Sequence, residues 1–425
     1  MPVGPKERGQ EIAFANGVAQ GSAADPENLL LRAWLCRLDL DEPSIAARLA
    51  HRSDVGRRRH WATALATSVG CGSLFALFAG GEPPVPIPAE SNPLFWIGWG
   101  PLAALAIIIF AALGAPQRER YRWYVGAAMV IIVAGLVSAL VAWDRTDDAA
   151  TLVALHLPFV VWAAVGGSLT LGRPDRARHF YAYMVRSLET LVAAGIFLVA
   201  GVIFGGLTLG IFSVFGLELP PSVLLAAAAF GLGIIPVLAV ASVYDPILAP
   251  AEQRPTGLAH ILRIITWLLL PAALSVLALY VLWFIPVYFW RPFNERTVLI
   301  VYNATIIAIL ALLAAAVSAA ADRRQRPNVR LLRAAVLSLS VLTLALNVYA
   351  LAAVASRTLE YGITPNRHAV LGRKTVTLLM LAFLLARSWS AESSEWPTTF
   401  RASMGRVIVL AIGWASWVIW GLPLL

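Results

Sequence analysis

The stretch SRTLEYGITPNRHAVLGRK, from Ser356 to Lys374, holds the densest set of chemically capable side chains in the sequence. If Arg357 continues a helix from the preceding apolar run, Glu360 and Tyr361 fall three and four residues on and share its face. Gly362 can end that helix in a left-handed conformation, Thr364 can cap the next, and Pro365 suits its first position. Arg367 and His368 then occupy a first helical turn, where positive charge opposes the helix dipole. Arg367, Leu371 and Lys374 recur at i, i+4 and i+7, so two bases line one face with Arg373 beside them. An anionic headgroup or phosphate can dock on such a stripe. Arg357, Glu360, Tyr361, Asn366 and Arg367 are therefore the candidate ligand-binding set, an outward-facing pocket for an anionic group. The plainer alternative pairs Arg357 with Glu360 and lets Arg367, Arg373 and Lys374 snorkel to phospholipid headgroups as anchors.

Other polar residues within apolar runs are sparse. His156, two residues before Pro158, can relay protons or simply be satisfied by a backbone carbonyl. Asn303 and Asn347 can bond across helices. Asp245, between Tyr244 and Pro246, can hold a cation or serve a helix-ending turn. Gly201, Gly205, Gly206 and Gly210 form overlapping small-xxx-small pairs, which predict a face packed tightly on a neighbouring helix. The six histidines and two cysteines make no HExxH or CxxC ligand spacing, and neither a GxSxG elbow nor a Walker lysine occurs. The catalytic and metal sets are accordingly empty, and no cofactor is implied.

These residues must be positioned by apolar helices. Eleven apolar runs lie at about 60–80, 93–114, 124–143, 149–171, 188–214, 222–244, 262–288, 297–320, 331–355, 369–387 and 405–424, and a bilayer core needs roughly 20 such residues per helix. The composition, 59% hydrophobic and 13% charged, leaves too little polar surface for a soluble globule. The expected fold is all-α, a polytopic transmembrane bundle over 57–425 behind a cytosolic segment at 1–56. In that segment a Gly/Ala/Ser-rich tail lacks the apolar core of a signal peptide, and Ile45 to Leu49 suggest a short helix of their own. The net charge of +9 sits mainly in connections between runs, where arginine orients helices, so nucleic acid is not an expected partner.

Arg57, Arg58 and Arg59 precede the first run, and Glu82 and Glu90 follow it, which places the N-terminus inside. Strict alternation puts the clusters at Arg118 to Arg122, Arg173 to Arg186 and Arg323 to Arg330 inside as well. The segment from Arg357 to Lys374 falls outside by the same parity, yet it is basic. Either a span is miscounted or the protein holds these bases for another purpose. Abundant arginine with only two lysines, Lys6 and Lys374, suggests a GC-rich bacterial genome and a multi-pass protein of the bacterial cytoplasmic membrane.

The run EYGITPNRHAVL, from Glu360 to Leu371, resembles the signature of the DUF4153/DUF4173 family of bacterial integral membrane proteins. The proline-containing helix ILRIITWLLLPAALSVLALYVLW, from Ile261 to Trp283, is similar to one in that family. The resemblance implies a polytopic helical fold and lends no activity. Three function classes remain open. A transporter or permease with an anion-accommodating pocket fits the proline- and glycine-interrupted helices and is the favoured class, although such helices fit any polytopic bundle equally. A membrane enzyme acting on a lipid or glycan precursor would use Glu360, Tyr361 and Arg367. A regulatory or structural partner of an envelope complex would dock through the N-terminal segment. Expected partners are membrane lipids, an anionic ligand, and a membrane or cytosolic protein.

Overall fold

Helices account for all the regular structure among the described residues. The computed structural model describes residues 42–79, 93–114, 120–144, 148–217, 219–254, 256–290, 293, 296–319, 329–392 and 395–424. In chain order these form α1 (Glu42–Phe78), α2 (Pro93–Gly114), α3 (Tyr121–Asp144), α4 (Asp148–Thr170), α5 (Arg176–Val214), α6 (Pro221–Val243), α7 (Gly257–Val287), α8 (Arg296–Ala319), α9 (Val329–Tyr361), α10 (Pro365–Trp389) and α11 (Trp396–Trp420). All eleven contain a stretch long and apolar enough to cross a bilayer. The protein is thus an all-α, multi-pass membrane protein. Contacts divide the chain into two compact units, Met1–Thr63 and Ala64–Leu425.

Most of the expected N-terminal segment, including Cys36, lies outside the described residues. Where it is described, one expectation changes: Ile45 to Leu49 belong to α1, which continues without a break into the first apolar run. Pro43 sits in the first turn, where its missing N–H costs nothing, and no later residue before Phe78 is a strong breaker. Cys71 is a buried free thiol.

Several helices exceed their apolar runs. The 39 residues of α5 would extend about 58 Å at 1.5 Å per residue, twice the hydrocarbon core. The first turns of α5 therefore carry Arg176, Arg178, Arg186 and Glu189, and the apolar stretch begins beyond them. Here Arg186 Nη1 contacts Glu189 Oε2 at 2.6 Å while Nη2 bonds the carbonyls of Gln253 and Arg254. That tie fastens the α6–α7 connection to α5. In α7, expected to be kinked, a π-helical turn spans Tyr280–Phe284 just before Pro286. A π turn absorbs an extra residue and re-aims the side chains beyond it.

α11 is the element on which the bundle closes, because it packs against α4, α5, α8 and α10. Its buried residues Trp396, Phe400, Met404, Val407 and Ile408 join a core built mainly from α8 and α9, while Ala415 and Ile419 join one built from α2, α3 and α4. The sequence predicts a shorter helix here, starting near residue 405. Trp396 and Phe400 extend it because they repeat the buried stripe one and two turns earlier, at i+4 spacing.

The glycine expectation is overturned. A Cβ added at Gly201, Gly205, Gly206 or Gly210 would meet no neighbouring atom within 4 Å, so this stripe of α5 faces outward. Close backbone approach occurs elsewhere. A Cβ on Gly233 of α6 would stand 2.7 Å from Gly72 Cα of α1, and one on Gly405 of α11 would overlap the carbonyl oxygen of Ala177 in α5. Spacing alone marks small residues on a helix; the partner decides which of them are used.

Gly233→Leu is expected to destabilise the detergent-solubilised protein by about 1–3 kcal/mol through overpacking. Gly205→Leu should stay within about 0.5 kcal/mol of the parent. Thermal or denaturant unfolding of both variants checks the contrast, and the reverse order would mean that α5 packs through its glycines.

Candidate functional site

Arginine side chains close the carbonyl ends of helices along one face of the bundle. The last turn of α4 receives Arg120 Nη2 on Ser168 O at 2.6 Å and Arg173 Nε on Leu169 O at 3.0 Å. At the end of α8, Arg401 Nη2 bonds Val317 O at 2.7 Å. At the end of α10, Arg333 Nη2 reaches Ser388 O, Trp389 O and Ala391 O at 2.8 to 3.1 Å. The final carbonyls of a helix have no intrahelical donor and carry partial negative charge, so a guanidinium satisfies both needs together.

Among the described residues the opposite face has one counterpart, and it accounts for Arg367 in the basic segment that parity misplaces. α9 ends at Tyr361, Gly362 follows at φ 77°, and Thr364 Oγ1 caps α10 by accepting from Arg367 N at 3.3 Å. Arg367 Nη1 turns back to Gly362 O at 2.5 Å, and its guanidinium lies over the Tyr361 ring at 5.6 Å. The base that opposes the α10 dipole is thereby placed on the carbonyl end of α9, where positive charge is favourable. The structure brings Arg367 and Tyr361 together in this way. Glu360 is exposed on the last turn of α9, Arg357 is half-buried one turn before it, and Asn366 is half-buried in the first turn of α10. The charges of Glu360 and Arg357 both act on the Tyr361 phenol. Tyr361 and the neighbouring Leu359 and Ile363 are among the exposed large hydrophobics, so this set lies on a protruding turn.

Lys374 departs from its expected place. α10 begins at Pro365, so Lys374 stands nine residues on, about 14 Å along the helix axis, well past the end. It is 2% exposed, and Nζ has no hydrogen-bond partner among the described residues. The expected surface stripe with Arg367 is therefore divided, one base on the outer turn and the other inside the bundle, and Lys374 does not snorkel. Asn347 of α9, fully buried, donates Nδ2 to Lys374 O at 2.9 Å, while its Oδ1 also lacks a partner. This is the cross-helix bond the sequence suggests for Asn347, with an unused acceptor left over.

Among the described residues the surroundings supply no counter-ion. α10 packs against α4, α9 and α11. α10 and α11 contain no carboxylate, α4 has Asp148 at its first residue, and α9 has Glu360 at its exposed end. Arg373, half-buried next to Lys374, brings positive charge to this part of α10 and acts on His156 of α4. His156 Nδ1 donates to Leu152 O at 2.7 Å, which is the carbonyl-satisfied arrangement. Toward the outer turn, Trp417 Nε1 donates to His368 Nε2 at 3.3 Å and Trp414 Nε1 to Ala369 O at 3.2 Å. Asp245 proves to be a turn residue, its Oδ1 accepting from Ile247 N at 3.0 Å. The sequence signal for Lys374 was its type: one of two lysines in the chain, inside an apolar run without an acid.

A buried donor without an acceptor costs folding free energy. Lys374→Met keeps length and volume, so it should raise unfolding stability by about 1–4 kcal/mol. A lower melting temperature for that variant would mean that the amine has a stabilising partner.

No family model, no curated protein and no solved structure matches the chain.

Proposed function

We propose that the protein is a transporter of the bacterial cytoplasmic membrane that moves a small anion past Lys374, the basic face of the bundle being cytosolic. One observation carries the reading: a fully buried amine, a hydrogen-bond donor in either protonation state, has no acceptor among the described residues, and no carboxylate lies on the helices around it except at their ends. Ionisable residues kept within membrane helices are costly and commonly mark substrate or ion pathways. An anion entering beside Lys374 would supply the missing acceptor, and Asn347 Oδ1 could receive a donor from a protonated substrate oxygen. Arg373 adds positive potential, and Arg357 and Arg367 surround the outer turn of the same helix, where an anion would be gathered before entering.

The orientation follows from the positive-inside bias, since Arg120, Arg173, Arg333 and Arg401 share one face. The membrane assignment also draws on the likeness of EYGITPNRHAVL to the DUF4153/DUF4173 family, which supports membership as part of the same proposal.

Purified protein reconstituted in liposomes should give substrate-dependent currents on a supported membrane with at least one of inorganic phosphate, acetate and succinate. Lys374→Met should abolish the current while remaining folded. A current of full size in that variant, or none with any of the three in the parent, would sink the transport reading. Arg367→Gln should raise the half-saturating concentration by about tenfold, the worth of one charge-assisted bond; unchanged half-saturation would restrict Arg367 to its role as a helix cap.

A further inference from the structure

A second concentration of unpaired positive charge lies where α4 ends on the basic face. Arg120 is 7% exposed, and besides its bond to Ser168 O it has a buried Nε with no partner. A base at the edge of a span ordinarily extends to water, so this degree of burial is not that of a snorkelling anchor. Arg173 uses Nε on the next carbonyl, Leu169 O, which leaves its two η nitrogens for something else. Tyr124 and Tyr244, 4% and 7% exposed, belong to the same buried cluster as Leu169. Both phenols sense both guanidinium charges, and the Tyr244 hydroxyl has only a long 3.4 Å contact to Leu248 O.

Among the described residues the electrostatics are one-sided. Burial, together with the Arg120 charge, lowers the Arg173 pKa. The carboxylate acting on Arg173 is Glu252, an exposed residue that also acts on His179. Neither arginine forms an ion pair among the described residues. The N-terminus of α5 opens nearby, and Asp175 in front of it adopts φ 52° without capping it through its side chain.

Depth decides the class of ligand. Trp123, one residue before Tyr124, lies against Gly172 and beneath the Arg122 guanidinium, 5.1 Å from its ring centroid. Indoles gather at the headgroup level of a bilayer, and basic pockets between transmembrane helices on the cytosolic side receive lipid headgroups.

We propose that Arg120 and Arg173, with the hydroxyls of Tyr124 and Tyr244, bind the phosphate of an anionic phospholipid. The fork of each guanidinium offers paired donors to phosphate oxygens. This site is independent of Lys374, and Lys374→Met should leave it intact.

The test titrates delipidated protein in detergent with phosphatidylglycerol and, separately, phosphatidylcholine, counting bound lipids by native mass spectrometry. Phosphatidylglycerol should bind more tightly. Arg173→Gln should weaken it by about tenfold without changing phosphatidylcholine, whereas Arg178→Gln, an exposed base on the first turn of α5, should change neither. Arg173→Lys, which keeps the charge, should retain the preference for phosphatidylglycerol with weaker binding, and this holds even if Arg173→Gln proves unstable. Equal losses from Arg178→Gln, or phosphatidylglycerol binding unaltered in Arg173→Gln, would overturn the site. So would stabilisation by inorganic phosphate with no preference for phosphatidylglycerol, which would assign these groups to a soluble ion.

Discussion

The bonds between arginine side chains and helix-terminal carbonyls are what the arrangement of this bundle depends on. Away from water every backbone carbonyl needs a donor, and the last turn of a helix cannot supply its own. α4, α8 and α10 each meet this need with an arginine from a different helix or connection. The pairing has a directional consequence. Arg333 belongs to the first turns of α9 and closes α10, and Arg401 belongs to the first turns of α11 and closes α8. Each bond therefore holds the beginning of one helix beside the end of another, which is the antiparallel relation that a multi-pass chain requires.

The positive-inside bias and the capping pattern are then two consequences of one placement. Arg120, Arg333 and Arg401, at the starts of α3, α9 and α11, find carbonyl ends beside them. Arg367 separates the two effects, since it sits on the face that orientation assigns to few bases and still closes a carbonyl end. The dipole of α9 and the ring of Tyr361 hold it there. For Arg367 a local contact thus gives a base on that face a structural role of its own.

The number of helices and their type were legible because a run of some 20 apolar residues has few other stable fates. The turn at Gly362, Thr364 and Pro365 was legible too, since each residue type has a distinct backbone or capping role there. Helix length was less so: polar residues at Arg176–Glu189 and Arg357–Tyr361 look like connections in composition but remain helical. The glycines of α5 misled because spacing is a property of one helix, while packing needs two. The sequence places Lys374 in a stripe with Arg367 on a helix that starts at Pro365, but its burial depends on α9 and α11 closing over it. No single segment contains that information.

Arginine and lysine divide the work in a chemically sensible way. A guanidinium is a rigid fork of several donors, and Arg333 Nη2 alone lies within bonding distance of three carbonyls that share its two hydrogens, so it suits a fixed structural bond. An ammonium is a compact group on a flexible stem that commits to no one geometry. The described bundle uses arginine at several helix ends and places its lysine, beside Arg373, in the interior without an acceptor among the described residues. An arginine there would seek neighbouring carbonyls and become part of the frame, as Arg120 and Arg401 have. The lysine leaves its donors free, at a cost in stability that the frame must offset, and that freedom is what a transient anionic partner would need.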